Sequence, residues 1–545
     1  MGEKKDYVRG FWAEGTPFIW FSGIAAVVLV LMVVGLVSLI LANGMSQFWP
    51  ASVAKVSLKN GSYLLGSVSD REKTSERDRI LLRIANRDVN GLDFKWVESS
   101  AITKVEYPES VSVLERDEYG PMYGFINSLA EGESSVASSS PEFQNVLREK
   151  LRTVREKTAS AKKLQATIDS EKKEVTAVEV RLRRLDEGEK ANDPETLLEK
   201  AGLEKRRGVL LENLGTKLAD EEKELERLKA EVEAPRLDVT LSDGSVAKVK
   251  LRKVLAVFNP NAMWFGAKFV HYMGNMASFI TDWPRESNTE GGVYPAIFGT
   301  VMMVFIMVLI CTPLGVLAAL YMHEYARQGF LLSAIRLAVN NLAGVPSIVY
   351  GIFGLGFFVY MLGGGIDRLF FADKLPEPTY GTGGILWASL TLALLTVPVV
   401  VVSTMEGLSA VPRANRDGAL ALGSSKFQMI WNVVLPNAAP GILTGVILAV
   451  SRAAGEVAPL MITGVVKLVS AVPVDAVWPY VHMDRKFMHL GFHIYDVGFQ
   501  SPNVEAAKPM VYTTAALLLL IVVALNALAI LLRNKLRKKY MGSAL

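Results

Sequence analysis

The sequence predicts an α-helical membrane protein with six transmembrane helices, interrupted by a β-rich domain that carries a long helical hairpin. Three observations lead to this fold class. Half of the 545 residues are hydrophobic and the mean hydropathy is +0.26, yet 21% of the residues are charged. Apolar segments long enough to cross a bilayer occur near the N-terminus and throughout the second half of the chain. The region between them is polar and combines strand patterns with a heptad repeat.

The first apolar segment, residues 17–43, is longer than the apolar core of a cleaved secretion signal, and basic residues precede it. We therefore expect an uncleaved anchor, with residues 1–16 in the cytoplasm by the positive-inside rule. Residues 44–290 contain no second apolar segment of that length. We expect them to form one domain on the extracytoplasmic side.

Within this domain we expect β parts at 51–115 and 235–258 and a hairpin of two helices at 142–233. Apolar and polar residues alternate in the β parts, and Asn60-Gly61 is a typical hairpin turn. In the hairpin region apolar residues recur at every seventh position on a charged background, which predicts an antiparallel coiled coil. Such a hairpin is either a docking arm for a partner or a passive spacer.

Residues 291–545 are expected to form the membrane core. Six spans in total return the C-terminus to the cytoplasm, where the positive-inside rule favours the basic residues from Arg533 to Lys539. The predicted transmembrane helices are 17–43, 294–321, 341–362, 384–405, 438–464 and 510–532.

Arg452 and Glu456 are the candidate residues of a substrate pathway. Their spacing of four places them on one face of a helix, near the middle of the 438–464 span. Ionisable groups at that depth are costly, and they usually line a pathway or pair with one another. The guanidinium of Arg452 can hold an oxyanion such as phosphate or sulfate through two hydrogen bonds. The alternative is a salt bridge that only fixes helix packing.

The polar segment 411–437 precedes this span and has a recognisable spacing. It contains Asp417-Gly418-Ala419, then three residues, Gly423, nine residues, Val433, one residue and Leu435-Pro436. The spacing resembles the EAA loop of ABC-importer permeases, in which Glu-Ala-Ala precedes the glycine and an Ile precedes the Leu-Pro. Here Asp417, Gly418 and Val433 depart from that pattern. The resemblance implies that 411–437 is a coupling loop, which transmits the movement of an ATP-hydrolysing subunit to the membrane.

Three further segments resemble the family of PstA-type phosphate permeases: residues 340–355, Glu324-Tyr325-Ala326, and the run Ser-Arg-Ala-Ala-Gly-Glu at 451–456. The resemblance covers residues 294–536 and implies a six-helix permease of the ABC-importer type in a bacterial inner membrane, with phosphate passing Arg452. It also implies a second, PstC-type permease, a PstB-type ATPase dimer and a PstS-type phosphate-binding protein as partners, besides the lipid bilayer.

The chain itself is not expected to be an enzyme. It contains no P-loop motif, so ATP and Mg²⁺ would be bound by the partner ATPase, and we expect no cofactor in this chain. Three histidines, His482, His489 and His493, lie in one polar loop, but no further ligand completes a metal site. The net charge of +4 does not suggest a nucleic-acid partner.

Two alternatives remain open at this point. The chain could be a permease for another oxyanion, such as sulfate or molybdate. It could also be a membrane-anchored sensor or scaffold whose coiled coil serves as a docking arm.

Overall fold

The computed structural model describes residues 15–74, 78–132, 134–187, 193–476, 478–501 and 504–541. The predicted cytoplasmic segment 1–16 lies almost entirely outside these residues. The chain divides into two compact units. One is Pro50–Lys268, and the other combines the residues up to Trp49 with those from Phe269 onward.

The unit Pro50–Lys268 contains two antiparallel sheets. The strands of the first sheet are β1 Ala54–Leu58, β2 Tyr63–Lys73, β3 Asp78–Arg83, β4 Phe94–Glu98 and β5 Ile102–Glu106. Those of the second are β6 Ser112–Arg116, β7 Met122–Glu131, β8 Ser134–Ala137, β9 Pro235–Thr240, β10 Val246–Lys250 and β11 Val254–Phe258. The first sheet has the strand order β4-β3-β2-β1-β5 and the second β10-β9-β7-β6-β11, with β8 paired to β7.

The first β part extends beyond its predicted end at residue 115, because β7 and β8 follow it. Strand β7 contains Gly124, Asn127 and Ser128, which interrupt the strand pattern in the sequence. The strand forms nevertheless, because it pairs with β6 on one side and with β9 on the other, where Leu129 lies opposite Leu237. This pairing joins the two predicted β parts into one sheet across the intervening helices.

Two long helices, α3 Phe143–Glu187 and α4 Pro194–Glu233, lie between β8 and β9. They run antiparallel, since ion pairs join Lys157 to Glu231 and Lys172 to Glu222, each at 2.6 Å. At their base, Phe143, Leu147, Leu151, Val154 and Val232 are buried in the core of the second sheet. The base of the helix pair is therefore part of the β-sheet core. A short helix, α2 Arg87–Asn90, lies earlier in this unit.

In the other unit, six helices are long and apolar enough to cross a membrane, which confirms the predicted number for the described residues. Their bounds are Pro17–Ser46, Tyr294–Tyr325, Ser347–Phe370, Ile385–Ser409, Lys426–Gly455 and Val504–Lys535. The helices concerned are α1 Thr16–Ser46, α6 Tyr294–Leu320, α8 Ser347–Phe353, α9 Gly364–Phe370, α10 Ile385–Ser409, α12 Lys426–Met429, α13 Leu435–Gly455 and α16 Val504–Met541. Segments of π-helix, Tyr321–Tyr325, Gly354–Gly363 and Ile430–Val434, continue α6 and join α8 to α9 and α12 to α13.

All six spans differ from their predicted bounds, and in two of them the difference reflects an interruption of the helix. The span predicted at 341–362 instead begins at Ser347, because a turn at 343–346 separates it from α7 Phe330–Leu342, and Pro346 precedes its first helical residue. The span predicted at 438–464 begins earlier, at Lys426, and ends at Gly455. Residues 458–463 form a separate short helix, α14 Ala458–Thr463.

Helix α10 lies at the centre of the membrane unit. A Cβ atom added at Gly441 of α13 would lie 2.6 Å from the Cα atom of Gly407 in α10, and one at Gly445 would lie 2.8 Å from the Cβ atom of Ser403. Small residues four apart thus let α13 approach α10 at backbone distance, as in other membrane helix pairs. Helices α5 Phe265–Thr281, α11 Arg413–Ala421 and α15 Leu490–Phe499 complete the fold.

Candidate functional site

Arg452 and Glu456 come together as predicted, although not on one helix face. Arg452 lies in the last turn of α13, which ends at Gly455, and Glu456 follows with extended backbone at φ −78° and ψ 132°. The Arg452 Nε atom lies 3.7 Å from Glu456 Oε1. The side chains are 32% and 22% exposed, so both groups are partly desolvated and still accessible.

The expectation that Arg452 lies near the middle of a helical span is therefore wrong. The apolar run 438–464 continues across the charged pair, but the helix breaks between Gly455 and Ala458. A helix break exposes backbone carbonyl groups and lets side chains turn away from the helix axis. The pair Arg452–Glu456 thus lies where α13 ends, just before α14 begins.

The segment after the break packs against one of the three segments that carry the resemblance. A Cβ atom added at Gly351 of α8 would lie 2.8 Å from the Cα atom of Pro459, so the two backbones are in direct contact. Tyr350, the neighbouring residue, is buried, and its hydroxyl group donates to the carbonyl oxygen of Leu342 at 2.5 Å. Residues 340–355 therefore support the backbone next to Glu456.

Leu435 and Pro436 begin the same helix that ends near Arg452. The π-helical turn Ile430–Val434 precedes the proline, so the chain is helical on both sides of it. Sixteen residues separate Pro436 from Arg452, or about 24 Å of helix. One helix, which contains Pro440, thus connects the predicted coupling segment to the charged pair.

The predicted coupling loop 411–437 is itself mostly helical. Gly418 and Ala419 lie within α11, and Ala419 is buried in an apolar cluster with Val411 and Val434. After α11 the chain turns at Gly423, where φ is +84°. The Gly423 N–H donates to the Leu420 carbonyl oxygen at 3.0 Å and the Ser424 N–H to that of Ala419 at 3.2 Å, the two hydrogen bonds of a Schellman motif.

Helix α12 begins next with a capping box. The Ser425 hydroxyl group accepts from the Gln428 N–H, while the Gln428 side chain accepts from the Ser425 N–H. Val433 packs against the same apolar cluster as Ala419. The segment thus has a defined conformation from Arg413 to Pro436.

Sequence reasoning missed the polar contacts that attach this segment to the second span. Glu324 lies in the π-helix that ends that span, and its Oε1 atom lies 3.2 Å from Arg416 Nη2 and 2.9 Å from His323 Nδ1. Lys426 donates to the Glu324 carbonyl oxygen at 2.6 Å. The resemblance had marked Glu324 without giving it a role; its partner Arg416, next to Asp417, carried no such signal.

Several side chains of the segment point away from the protein. Asp417 is exposed, and within the described part of the chain it makes no ion pair or hydrogen bond. Leu422, Phe427 and Trp431 are also exposed, and the rings of the last two stack with centroids 6.1 Å apart. Exposed aromatic residues are enriched in surfaces that contact another protein.

A cavity of about 590 Å³ opens beside the Glu324 contacts, lined by α7, α10 and Met322. Arg336, Asn340, Glu406 and Ser409 are its polar lining residues. The lining includes neither Arg452 nor Glu456, so the cavity and the charged pair are separate features.

Two of the three neighbouring histidines are buried, contrary to the polar loop expected from the sequence. His489 precedes α15 and its Nδ1 atom accepts from the Gly491 N–H at 3.1 Å, while His493 lies within the helix. Burial lowers the pKa of each imidazole from 6.5 to about 4. Asp496 opposes this shift at His493, and Lys467 adds to it.

Comparison with known proteins places the membrane unit in a family. Residues 294–540 match the model of the binding-protein-dependent transport system inner membrane component. The phosphate transport system permease protein PstC of Xylella fastidiosa is 31% identical over 225 residues, which are 40% of this chain and 68% of that protein. The chain belongs to this transport family. Its membrane unit is α-helical and contains the six candidate spans described above.

Two further relatives are named PstA. The phosphate transport system permease protein PstA of Yersinia pestis is 36% identical over 189 residues, 35% of this chain and 58% of that protein. A probable PstA of Methanocaldococcus jannaschii is 34% identical over 175 residues, 32% of this chain and 56% of that protein. The chain thus spans a little over half the length of these relatives.

Proposed function

We propose that this chain is the PstA-type permease subunit of an ATP-driven importer, which moves inorganic phosphate across the inner membrane. The PstA and PstC relatives are named as phosphate transport permeases and support the substrate class. The main support is the position of Arg452. It lies next to the helix break at one end of a span, and the other end of that span lies in the predicted coupling segment.

At this break, Arg452 provides a guanidinium fork for the passing anion. Phosphate has two or three unprotonated oxygens at pH 7, which share one or two negative charges, and an Arg fork can hold two of these oxygens at once. Glu456, 3.7 Å from Arg452 Nε, orients the guanidinium and limits how tightly the anion is held. A site in a transport path must bind and also release, so partial neutralisation of the arginine suits it.

In this proposal, the coupling segment receives the movement of the ATPase. Asp417, Leu422, Phe427 and Trp431 form the surface that the ATPase contacts. Arg416 and Lys426 attach the segment to the end of the second span through Glu324, and α13 attaches it to Arg452. Movement of the segment then reaches the charged pair through one helix.

The proposed partners are a PstC-type permease, a PstB-type ATPase dimer that binds ATP and Mg²⁺, and a PstS-type phosphate-binding protein. Both termini and the coupling segment face the cytoplasm, which agrees with the basic residues Arg533, Lys535 and Lys538 at the end of α16. The domain between the first two spans then lies outside the cell membrane, on the side of the binding protein.

The helix pair α3–α4 is proposed as a docking arm for the binding protein or the second permease. Residues near its base are part of the β-sheet core, so a test must leave them in place. Removing residues 165–222, beyond the Lys157–Glu231 ion pair, and joining the ends with a glycine linker shortens the arm without exposing that core. We expect reduced uptake at limiting phosphate; unchanged uptake would refute the docking role.

Uptake of radiolabelled phosphate by cells that depend on this importer tests the main proposal. We expect competition by unlabelled phosphate and little competition by sulfate or molybdate; stronger competition by either of these would assign the other oxyanion. Arg452→Lys should reduce uptake roughly ten- to hundred-fold, because a charged hydrogen bond contributes about 1.5–3 kcal/mol. Arg368→Lys, an exposed arginine of α9, is the matched control and should retain uptake.

A further inference from the structure

Helix α5, Phe265–Thr281, has an apolar face that the protein leaves exposed. From Phe269 to Thr281 it contains no Asp, Glu, Lys or Arg. Val270, Met273, Ala277 and Ile280 follow one another at spacings of three, four and three, and all are exposed. Residues at these spacings form one continuous stripe along a helix. The helix lies outside the six spans, so an exposed apolar stripe here needs an explanation.

The opposite face of α5 packs against the ends of two membrane spans. The ring of Phe279 lies 5.4 Å from that of Phe48, which follows α1, and the Phe279 carbonyl oxygen accepts from the N–H of Val293, which precedes α6. Asn275 donates to the carbonyl oxygen of Phe48. Because α5 contacts residues just after the first span and just before the second, it lies at the level where both spans leave the membrane.

Aromatic residues with a polar atom surround these contacts. Trp49 and Tyr272 lie with their ring centroids 5.9 Å apart, and Trp283 and Tyr294 with theirs 6.5 Å apart. Trp and Tyr are enriched at the boundary between lipid and water, since their rings are apolar and each carries one hydrogen-bonding group. His271 does not add a charge here, because burial lowers the pKa of its ring.

We infer that α5 lies in the membrane interface with the Val270–Ile280 stripe inserted among the lipids. A helix of moderate hydrophobicity with one apolar face binds in the interface plane, whereas a spanning helix is apolar all round. We assign lipid as the occupant of this surface, because α5 lies at the ends of two spans among Trp and Tyr residues. In chain order α5 connects the Pro50–Lys268 unit to the second span. The inference does not depend on which anion the importer carries.

Site-directed spin labelling of the full-length chain tests it. Cys311, which is buried, is replaced by Ser, and single cysteines are introduced at Val270 and at Ile280. Nitroxide labels are attached in membrane vesicles from cells that produce the protein. Their accessibility to oxygen, which concentrates in lipid, and to nickel-EDDA, which stays in water, is measured by power saturation.

Two exposed leucines provide the references. Leu29 lies in the first span and gives the lipid value, and Leu198 lies in α4 among charged residues and gives the water value. We expect Val270 and Ile280 to approach the Leu29 value, with high oxygen and low nickel accessibility. Nickel accessibility equal to that at Leu198 would overturn the inference. Low accessibility to both reagents would overturn it too, since it would mean that protein covers the stripe.

Discussion

The Arg416 guanidinium lies 3.2 Å from the carboxylate of Glu324, and this ion pair joins the predicted coupling segment to the end of the second span. Glu324 and Arg416 are 9% and 19% exposed, so water screens the pair less than it would a surface pair. Arg416 also donates to the Leu408 carbonyl oxygen, at the end of α10. Three elements of the membrane unit therefore meet at Arg416.

We predict that Glu324→Gln weakens coupling while the protein still assembles. The amide keeps the shape of the carboxylate but removes the charge that faces Arg416 and His323. Removing one partner of a part-buried pair leaves the other poorly solvated, at a cost of a few kcal/mol. The expected result is a lower ratio of phosphate transported to ATP hydrolysed, measured in proteoliposomes.

The control is Glu406→Gln, an exposed glutamate in the lining of the nearby cavity. It should leave the transport-to-hydrolysis ratio unchanged. If Glu324→Gln shows the same ratio as the unmodified protein, the ion pair is not part of the coupling path.

A second prediction concerns Gly418, one of the departures from the EAA pattern. It lies inside α11, and a Cβ atom added there would meet no atom within 4 Å. Gly418→Ala should stabilise α11 by about 1 kcal/mol, because alanine loses less conformational freedom in a helix. We expect slower amide hydrogen exchange in residues 413–421 and unchanged uptake. Faster exchange in that helix would contradict the assignment of Gly418 to a helix interior.

Gly423 should behave in the opposite way, although the space around it is equally open. Its φ of +84° is one that an L-residue adopts only at a cost of roughly 1–2 kcal/mol. Gly423→Ala should loosen the turn between α11 and α12 and reduce uptake, whereas Gly423→Asn should retain more activity, since asparagine tolerates this conformation better. If both variants take up phosphate as fast as the unmodified protein, the turn does not matter for coupling.

The membrane spans could be predicted from the sequence because each is a local pattern of about 20 apolar residues. The break after Gly455 was not predicted, because Val457, Pro459 and Leu460 continue the apolar run to residue 464. Pro459 is itself a local reason for the break, since it has no N–H group to donate to the Gly455 carbonyl oxygen. The position of Pro459 also depends on a contact that the sequence does not show: the backbone of Gly351 in α8 lies against it, although the two residues are more than 100 positions apart.

The candidate site also combines a local pattern that the sequence predicts with distant contacts that it does not. The spacing from Asp417 to Pro436 predicts a coupling segment, because that pattern lies within one stretch of chain. Its attachment to Glu324 depends on Arg416 and Lys426 folding back onto a span that ended some 90 residues earlier. Strand β7 likewise depends on a distant part of the chain, because it pairs with β9, which follows both long helices.

The buried histidine at the start of α15 leads to a prediction of acid sensitivity. The neutral ring of His489 accepts the Gly491 N–H, so protonation of Nδ1 would remove a helix cap and bury a charge. Burial holds the pKa of His489 at about 4 in the folded protein, against 6.5 in the unfolded chain. Between about pH 4 and pH 6.5 the unfolded state binds more protons than the folded state. The contribution of His489 to the free energy of unfolding is therefore complete above about pH 7 and is lost as the pH falls towards 4.

The pKa shift of His489 corresponds to roughly 3 kcal/mol in the free energy of unfolding. His489→Asn tests the effect, because the asparagine side-chain oxygen can accept the same N–H bond and does not titrate in this range. The midpoint of thermal unfolding in detergent, followed from pH 8 to pH 4.5, should fall less steeply for this variant than for the unmodified protein. At pH 8 the two midpoints should be close, which separates loss of the titrating group from general damage to the fold. His493, with the same low pKa, keeps its own contribution in the variant, so part of the acid sensitivity should remain. An unchanged pH dependence would show that His489 is not protonated when the protein unfolds in acid.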